Sequence, residues 1–181
     1  LDAGALTEVR DIFVADGVDR GVAASRLLFA PDGTLFMTLG GAYRFASTGD
    51  FAQDPMMHFG KLLRLNDDGT VPDDNPFVGD TAYLPEIYSL GHRNQLGLSF
   101  HPETGDLWAT ENGPQGGDEA NIIKSGANYG WPVATHGLDY TWARVTPFTE
   151  YPGTEQPSLY WTPSIAPSGL VVYRGDAFSE W

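Results

Sequence analysis

The sequence predicts an all-β chain assembled as antiparallel blades of a β-propeller, and three observations support this. Short apolar alternations recur along the chain, each bounded by Gly, Pro, Asn or Asp. A hairpin pattern occurs twice, around Pro31 and around Pro102, and each copy reads apolar, Phe, Pro, acidic, Gly, Leu, aromatic, Thr. No helical run of any length is evident. Repeated short antiparallel sheets are the signature of propeller blades. The repeat distance of about 70 residues exceeds the ~40–50 residues of compact blades, so long loops must lie between strands. Residues 1–181 therefore read as a single propeller-type domain of about three blades with long inserted loops.

In chain order, residues 9–14 alternate as a strand and end in the turn residues Ala15-Asp16-Gly17. Residues 25–40 form a hairpin whose turn is Pro31-Asp32-Gly33. Residues 50–57 are an insertion. Residues 60–66 are a strand, followed by the turn Asp67-Asp68-Gly69. Asp67, Asp68, Asp73 and Asp74 invite a calcium reading. Their spacing does not match an EF-hand loop, and a turn at the surface explains them better. Residues 88–119 then run strand, charged corner, strand, tight turn, strand, glycine-rich loop. Residues 98–100 and 107–108 read as paired strands around the turn at 101–105. Residues 118–124 can hold one helical turn, and 147–157 form a loop. Residues 158–161 and 169–173 are strands again, the latter starting a third partial copy of the repeat. Residues 176–181 lead toward a further strand.

Composition narrows the partners. The 181 residues carry a formal net charge of −14 and only two lysines, Lys61 and Lys124. Such a surface repels a nucleic-acid backbone, so no nucleic acid is expected as a partner; the acidity serves solubility. No apolar run is long enough to span a bilayer. No signal peptide is visible, yet the chain starts at Leu1 without an initiator methionine, so one can have been removed. The absence of cysteine excludes a disulfide framework and says nothing more.

Chemistry concentrates in two places. Arg93 and Asn94 sit at a corner between Gly91 and Gly97. By itself this is an arginine that satisfies carbonyls at a strand end, or one that meets an anion. The loop Asn112-Gly113-Pro114-Gln115-Gly116-Gly117 is too glycine-rich for helix or strand, and its bare carbonyls can bind a hard cation. His92 alternates away from Arg93 and reads as a structural histidine. Asp118 and Glu119 either hold the loop through its amides or lie in solvent. Asn128-Tyr129-Gly130-Trp131-Pro132 reads as a packing corner. Trp161, an aromatic on a strand, reads by itself as core.

Four motifs in one order, GHRN at 91–94, ENGPQGGDE at 111–119, NYGWP at 128–132 and YWTPSIAPSG at 160–169, resemble the soluble quinoprotein aldose sugar dehydrogenases. These are the PQQ-dependent glucose and sorbosone dehydrogenases. The resemblance implies an incomplete portion of a six-bladed propeller, with PQQ and Ca2+ as cofactors and a small-molecule aldose sugar as substrate. It implies that Arg93 and Asn94 contact the cofactor. Arg93 would be the catalytic group that stabilises charge as the quinone accepts hydride from the sugar C1. Gly113 and Pro114 would ligate calcium through their carbonyls, and Trp161 would contact the sugar. The implied compartment is periplasmic or extracellular.

The resemblance also exposes a departure. The family's general-base histidine precedes a small residue, arginine and leucine; here that anchor is Ser25-Arg26-Leu27, and the histidine position falls on Val22. Valine accepts no proton. Asp19 would substitute only in a different local register. A non-catalytic propeller that binds sugar or a protein partner is therefore the alternative. The chain reads either as a fragment or as a short form that self-associates through open propeller edges.

Overall fold

The computed structural model describes residues 7, 9–15, 25–40 and 50–178. Two four-stranded antiparallel sheets lie among them. The first contains β1 (Leu27–Phe29), β2 (Leu35–Leu39), β3 (Lys61–Leu65) and β4 (Ile87–Leu90), in that order. The second contains β5 (Gln95–Phe100), β6 (Leu107–Glu111), β7 (Asp118–Ile123) and β8 (Leu159–Trp161), also in chain order. These are two successive propeller blades.

The internal repeat is real in register. β1 meets β2 with Phe29 opposite Leu35, and β5 meets β6 with Phe100 opposite Leu107. Local chemistry closes each hairpin. Asp32 accepts from both the amide and the hydroxyl of Thr34, and Gly33 takes a φ of 90°, which a Cβ disfavours. Gly105 plays the same part after Pro102, at a φ of 76°.

The blades are joined by an apolar cluster of Phe36, Leu62, Leu98, Leu107, Ala109, Ile123 and Tyr129. It draws on both sheets, with Tyr88 and Phe100 packed against it. The Phe36 ring meets Tyr88 edge-on at 4.9 Å. Burying each large side chain contributes about 1.5–3 kcal/mol, so this cluster fixes the relative position of the two blades.

Four expectations need correction. Residues 9–14 form no ladder: Ile12 instead lies against the turn at Gly69, and Phe13 meets the His58 ring edge-on at 5.3 Å. The region 118–124 holds no helical turn, because β7 pairs with β6 along its length and leaves its amides no helical partners. Residues 169–173 carry no ladder, and Val171 is exposed. A short helix, α1 (Asp50–Gln53), sits in the insertion where none was expected. The buried Lys61 ammonium donates to the carbonyls of Phe51, Ala52 and Phe59 and so closes the end of that helix. The acidic group near β3 behaves as a turn and surface feature. Asp68 caps Thr70, and Asp74 joins Asp32 on Arg64.

Candidate functional site

The site begins at the corner between β4 and β5. Gly91 must be glycine: a Cβ there would meet the Asn128 side chain at 2.1 Å and the Gly130 amide at 2.7 Å. The crowding comes from the segment 128–131, which is stitched on by Tyr129 and Trp131 amides donating to the carbonyls of Leu90 and Gly91. The expected packing corner is therefore present.

His92 is fully buried. It bonds Ser89 at 2.8 Å and Glu111 at 3.1 Å and stacks on Tyr129. It is structural, as its alternation with Arg93 implied. Glu111 uses its other oxygen to accept from the Arg93 amide at 2.7 Å. With the main chain pinned, the Arg93 side chain reaches the glycine-rich loop. Its Nη1 donates to the carbonyls of Asn112 at 2.7 Å and Gly113 at 2.8 Å. Its Nη2 lies 3.3 Å from the Tyr140 hydroxyl, and the guanidinium sits 5.4 Å from the centre of the Trp131 ring. Its Nε is buried without a hydrogen-bond partner. So are Asn94 Oδ1, Asn112 Oδ1 and Trp131 Nε1. Buried polar atoms are rarely left unpaired; Arg93 and Trp131 line one small cavity that also reaches Asn112, Gly113 and Glu119.

The loop is held from three sides. Asp118, with no exposed surface, accepts from the Gly113 amide through Oδ1 at 2.9 Å. Its Oδ2 accepts from the Ser164 hydroxyl and from the amides of Ile165 and Ala166, each at 2.7 Å. Gln115 exchanges backbone bonds with Leu138, and the Gly117 amide donates to the Trp161 carbonyl at 2.8 Å. A Cβ on Gly113 would meet the carbonyl oxygens of Gly116 and Gly117 at 2.1 and 2.6 Å. The glycines thus bring several carbonyls into one small volume. Of the two readings of Asp118, the loop-holding one is correct.

Glu119 stands opposite Glu111 in the β6–β7 ladder, and the Asn121 amide donates to both carboxyls at 3.1 Å. Burial pushes the Glu119 pKa up to about 8, and the Glu111 charge adds to it, against the pull of the Asn121 bond. Burial and the facing Glu111 charge thus favour the protonated form of Glu119.

The structure brings Arg93 and Gly113 together, while Asn94 meets the loop through its backbone carbonyl, which accepts from the Asn112 amide. Pro114 follows on the same loop, packed by Gly137, and Trp161 joins through its carbonyl on partly exposed β8. Val22 and Asp19 lie outside the described residues. Sequence reasoning missed Tyr140 and its hairpin. A signal existed: Asp139 accepts from the Thr141 amide and hydroxyl, an Asx-turn written as Asp-Tyr-Thr after Gly137.

Comparison with known proteins places this geometry. The family pattern described as Glucose / Sorbosone dehydrogenase matches residues 1–181. The chain is 43% identical over 158 residues to the aldose sugar dehydrogenase YliI of Escherichia coli, covering 86% of this chain and 42% of that protein. The solved apo form of the soluble aldose sugar dehydrogenase from Escherichia coli superposes with a TM-score of 0.89 at 40% identity, over 97% of this chain and 51% of that one. The PQQ-bound aldose sugar dehydrogenase of Streptomyces coelicolor superposes with a TM-score of 0.66 at 33% identity, over 84% of this chain and 40% of that one. The chain thus spans about half or less of the length of these relatives. With its motifs, blades and whole-length match in agreement, the chain belongs to the glucose/sorbosone dehydrogenase family.

Proposed function

We propose that this chain supplies the arginine corner and the cation loop of a PQQ- and calcium-dependent aldose dehydrogenase. The observation that carries the proposal is Arg93: a guanidinium backed by two carbonyls, set against the Trp131 ring, with its Nε left unpartnered among the described residues. A planar, anionic quinone with acceptor oxygens and a ring N–H fits that donor and acceptor set. The Gly113 loop offers backbone carbonyls, the ligands a hard cation takes, and a carbonyl that already accepts from Arg93 keeps a second lone pair.

When bound, these groups supply hydride acceptance at the quinone and polarisation of its carbonyl by the cation. The residues of this chain do the rest. Arg93 and Asn94 hold and orient the cofactor, and Arg93 offsets the negative charge that develops beside it. Tyr140 and Trp131 flank the guanidinium and keep water from it. Gly113 and Pro114 hold calcium through their carbonyls. Trp161 offers an indole face to the pyranose of a small aldose. A periplasmic or extracellular setting belongs to the same proposal, as does one partial propeller of about three blades over residues 1–181.

Val22 favours a second reading, a non-catalytic propeller that binds sugar or a protein partner. Losing a positioned base costs roughly 10²–10⁴-fold in rate. Two measurements separate the readings. Quinone absorbance that survives gel filtration in the presence of calcium reports binding, and dye-linked aldose oxidation reports turnover. Retained quinone with brisk turnover supports the dehydrogenase and points to Asp19 or another base. Retained quinone with feeble turnover supports the site but not the chemistry. No retention at all removes the cofactor reading.

A further inference from the structure

Asp118 is a buried carboxyl group, and no cationic side chain among the described residues pairs with it. Its two oxygens serve different segments. Oδ1 takes the amide of Gly113, the residue whose carbonyl faces Arg93. Oδ2 takes three donors from residues 164–166, each at 2.7 Å. One of these is the amide of Ala166, a non-glycine residue held at a φ of 50°. A left-handed conformation in alanine is unfavourable, and it persists here against a charge-assisted hydrogen bond. Ala166 follows closely on Thr162, whose hydroxyl lies 3.3 Å from the Gly117 amide at the far end of the loop. The loop is therefore braced at both ends against one stretch of chain, and Asp118 forms one brace.

We propose that Asp118 is a positioning residue for the cation loop: it orients the Gly113 peptide by tying it to residues 164–166, and cation affinity depends on that tie. The proposal rests on the reading of Gly113 and Pro114 as calcium ligands. The physical argument concerns one peptide plane. The N–H of Gly113 and the carbonyl of Asn112 belong to the same rigid unit, and the carbonyl of Gly113 follows one residue on. Fixing the N–H limits how both carbonyls turn. Both carbonyls also accept from Arg93. Asp118 thus sets the aim of the loop and, through it, the seat of the guanidinium. Groups that hold a metal ligand from behind are worth about 10–100-fold in metal affinity.

Asp118→Asn tests this, because an amide cannot serve both sides. With its NH2 at the Oδ2 position it faces three donors. Flipped, it faces the Gly113 amide. Either way one tie is broken while size and shape are kept. Ser164→Ala removes a single donor and leaves the carboxylate. Asp74→Asn, on the outer face beside Arg64, is the control. Calcium affinity is read by titration calorimetry, with a metal-free thermal melt for each variant. D118N is expected to bind calcium about 10–100-fold more weakly. S164A should fall between D118N and the unmodified chain, and D74N should match the unmodified chain. Should D118N fail to fold, S164A decides. Equal calcium affinity in the unmodified chain and in every folded variant at Asp118 and Ser164 overturns the proposal, even where the metal-free melt has dropped. Absence of calcium binding by the unmodified chain overturns the ligand reading itself, which is a different pattern.

Discussion

Arg93 is fixed twice, by Glu111 on its amide and by two loop carbonyls on its guanidinium, and its buried Nε is left without a partner among the described residues. Arg93→Lys keeps the charge but loses the planar fork, so it is not a conservative change here. PQQ is expected to elute free of the Arg93→Lys chain on gel filtration with calcium present; retention equal to the unmodified chain would refute the arginine's role. Glu119 gives a pH signature. Its folded pKa, about 8, lies above the ordinary glutamate value of 4.5. Between those values the folded state binds more protons than the unfolded state, so stability falls as pH rises. The contribution is full below about 4.5 and gone above about 8. Glu119→Gln should therefore flatten the decline of melting temperature across that window in metal-free buffer. An unchanged slope would show that Glu119 ionises normally. At this scale the contact of Arg93 with the loop was legible, because Arg93 and Gly113 each lie in a compact motif. Tyr140 was not: the Asp139–Thr141 pattern announces a turn, but the tie of Tyr140 to Arg93 spans 47 positions.

The glycine-rich loop and the two hairpins behave differently as elements. The hairpins were readable because turn chemistry and alternation agree within a dozen residues or so. β7 was not, because Asp, Glu, Ala and Asn favour helix or turn in isolation, and only its ladder to β6 decides otherwise. The loop owes its shape to backbone crowding. Gly113→Ala is expected to push apart the carbonyls of Gly116 and Gly117 and to cost about 1–3 kcal/mol, with calcium binding lost. Gly105→Ala is the contrast. Nothing lies within 4 Å of a Cβ there, so its cost is the left-handed φ of 76° alone, about 1 kcal/mol, with calcium binding intact. Thermal melts and calcium titrations on both variants check this, and equal loss of calcium in the two would contradict it.

At the scale of the molecule, antiparallel blades followed from the repeat, but the closure of the second sheet did not. Both sheets are meanders in chain order; three ladders close over tight connections, while β2–β3 and β3–β4 close across residues 40–60 and 66–86. The β7–β8 ladder spans the longest connection. It closes across residues 124–158, through loops whose pairings no periodicity reveals. That span also has a kinetic consequence. Ordering a long loop costs more chain entropy than ordering a tight turn. β8 repays it with three residues, two of them more than half exposed. It should be the first strand to open and the last to return, as a local event far below the cost of global unfolding. The Gly117 amide hangs on the Trp161 carbonyl, so each such opening frees one end of the cation loop. Hydrogen exchange is expected to show Gly117 exchanging together with β8 and ahead of Trp108 and Ala109 in the β6 ladder. Protection of Gly117 equal to β6 would refute it. If the coupling holds, the exit rate of anything bound at the loop is set by the fraying of one short strand, and a chain can lose and regain its occupant many times within a single folded lifetime.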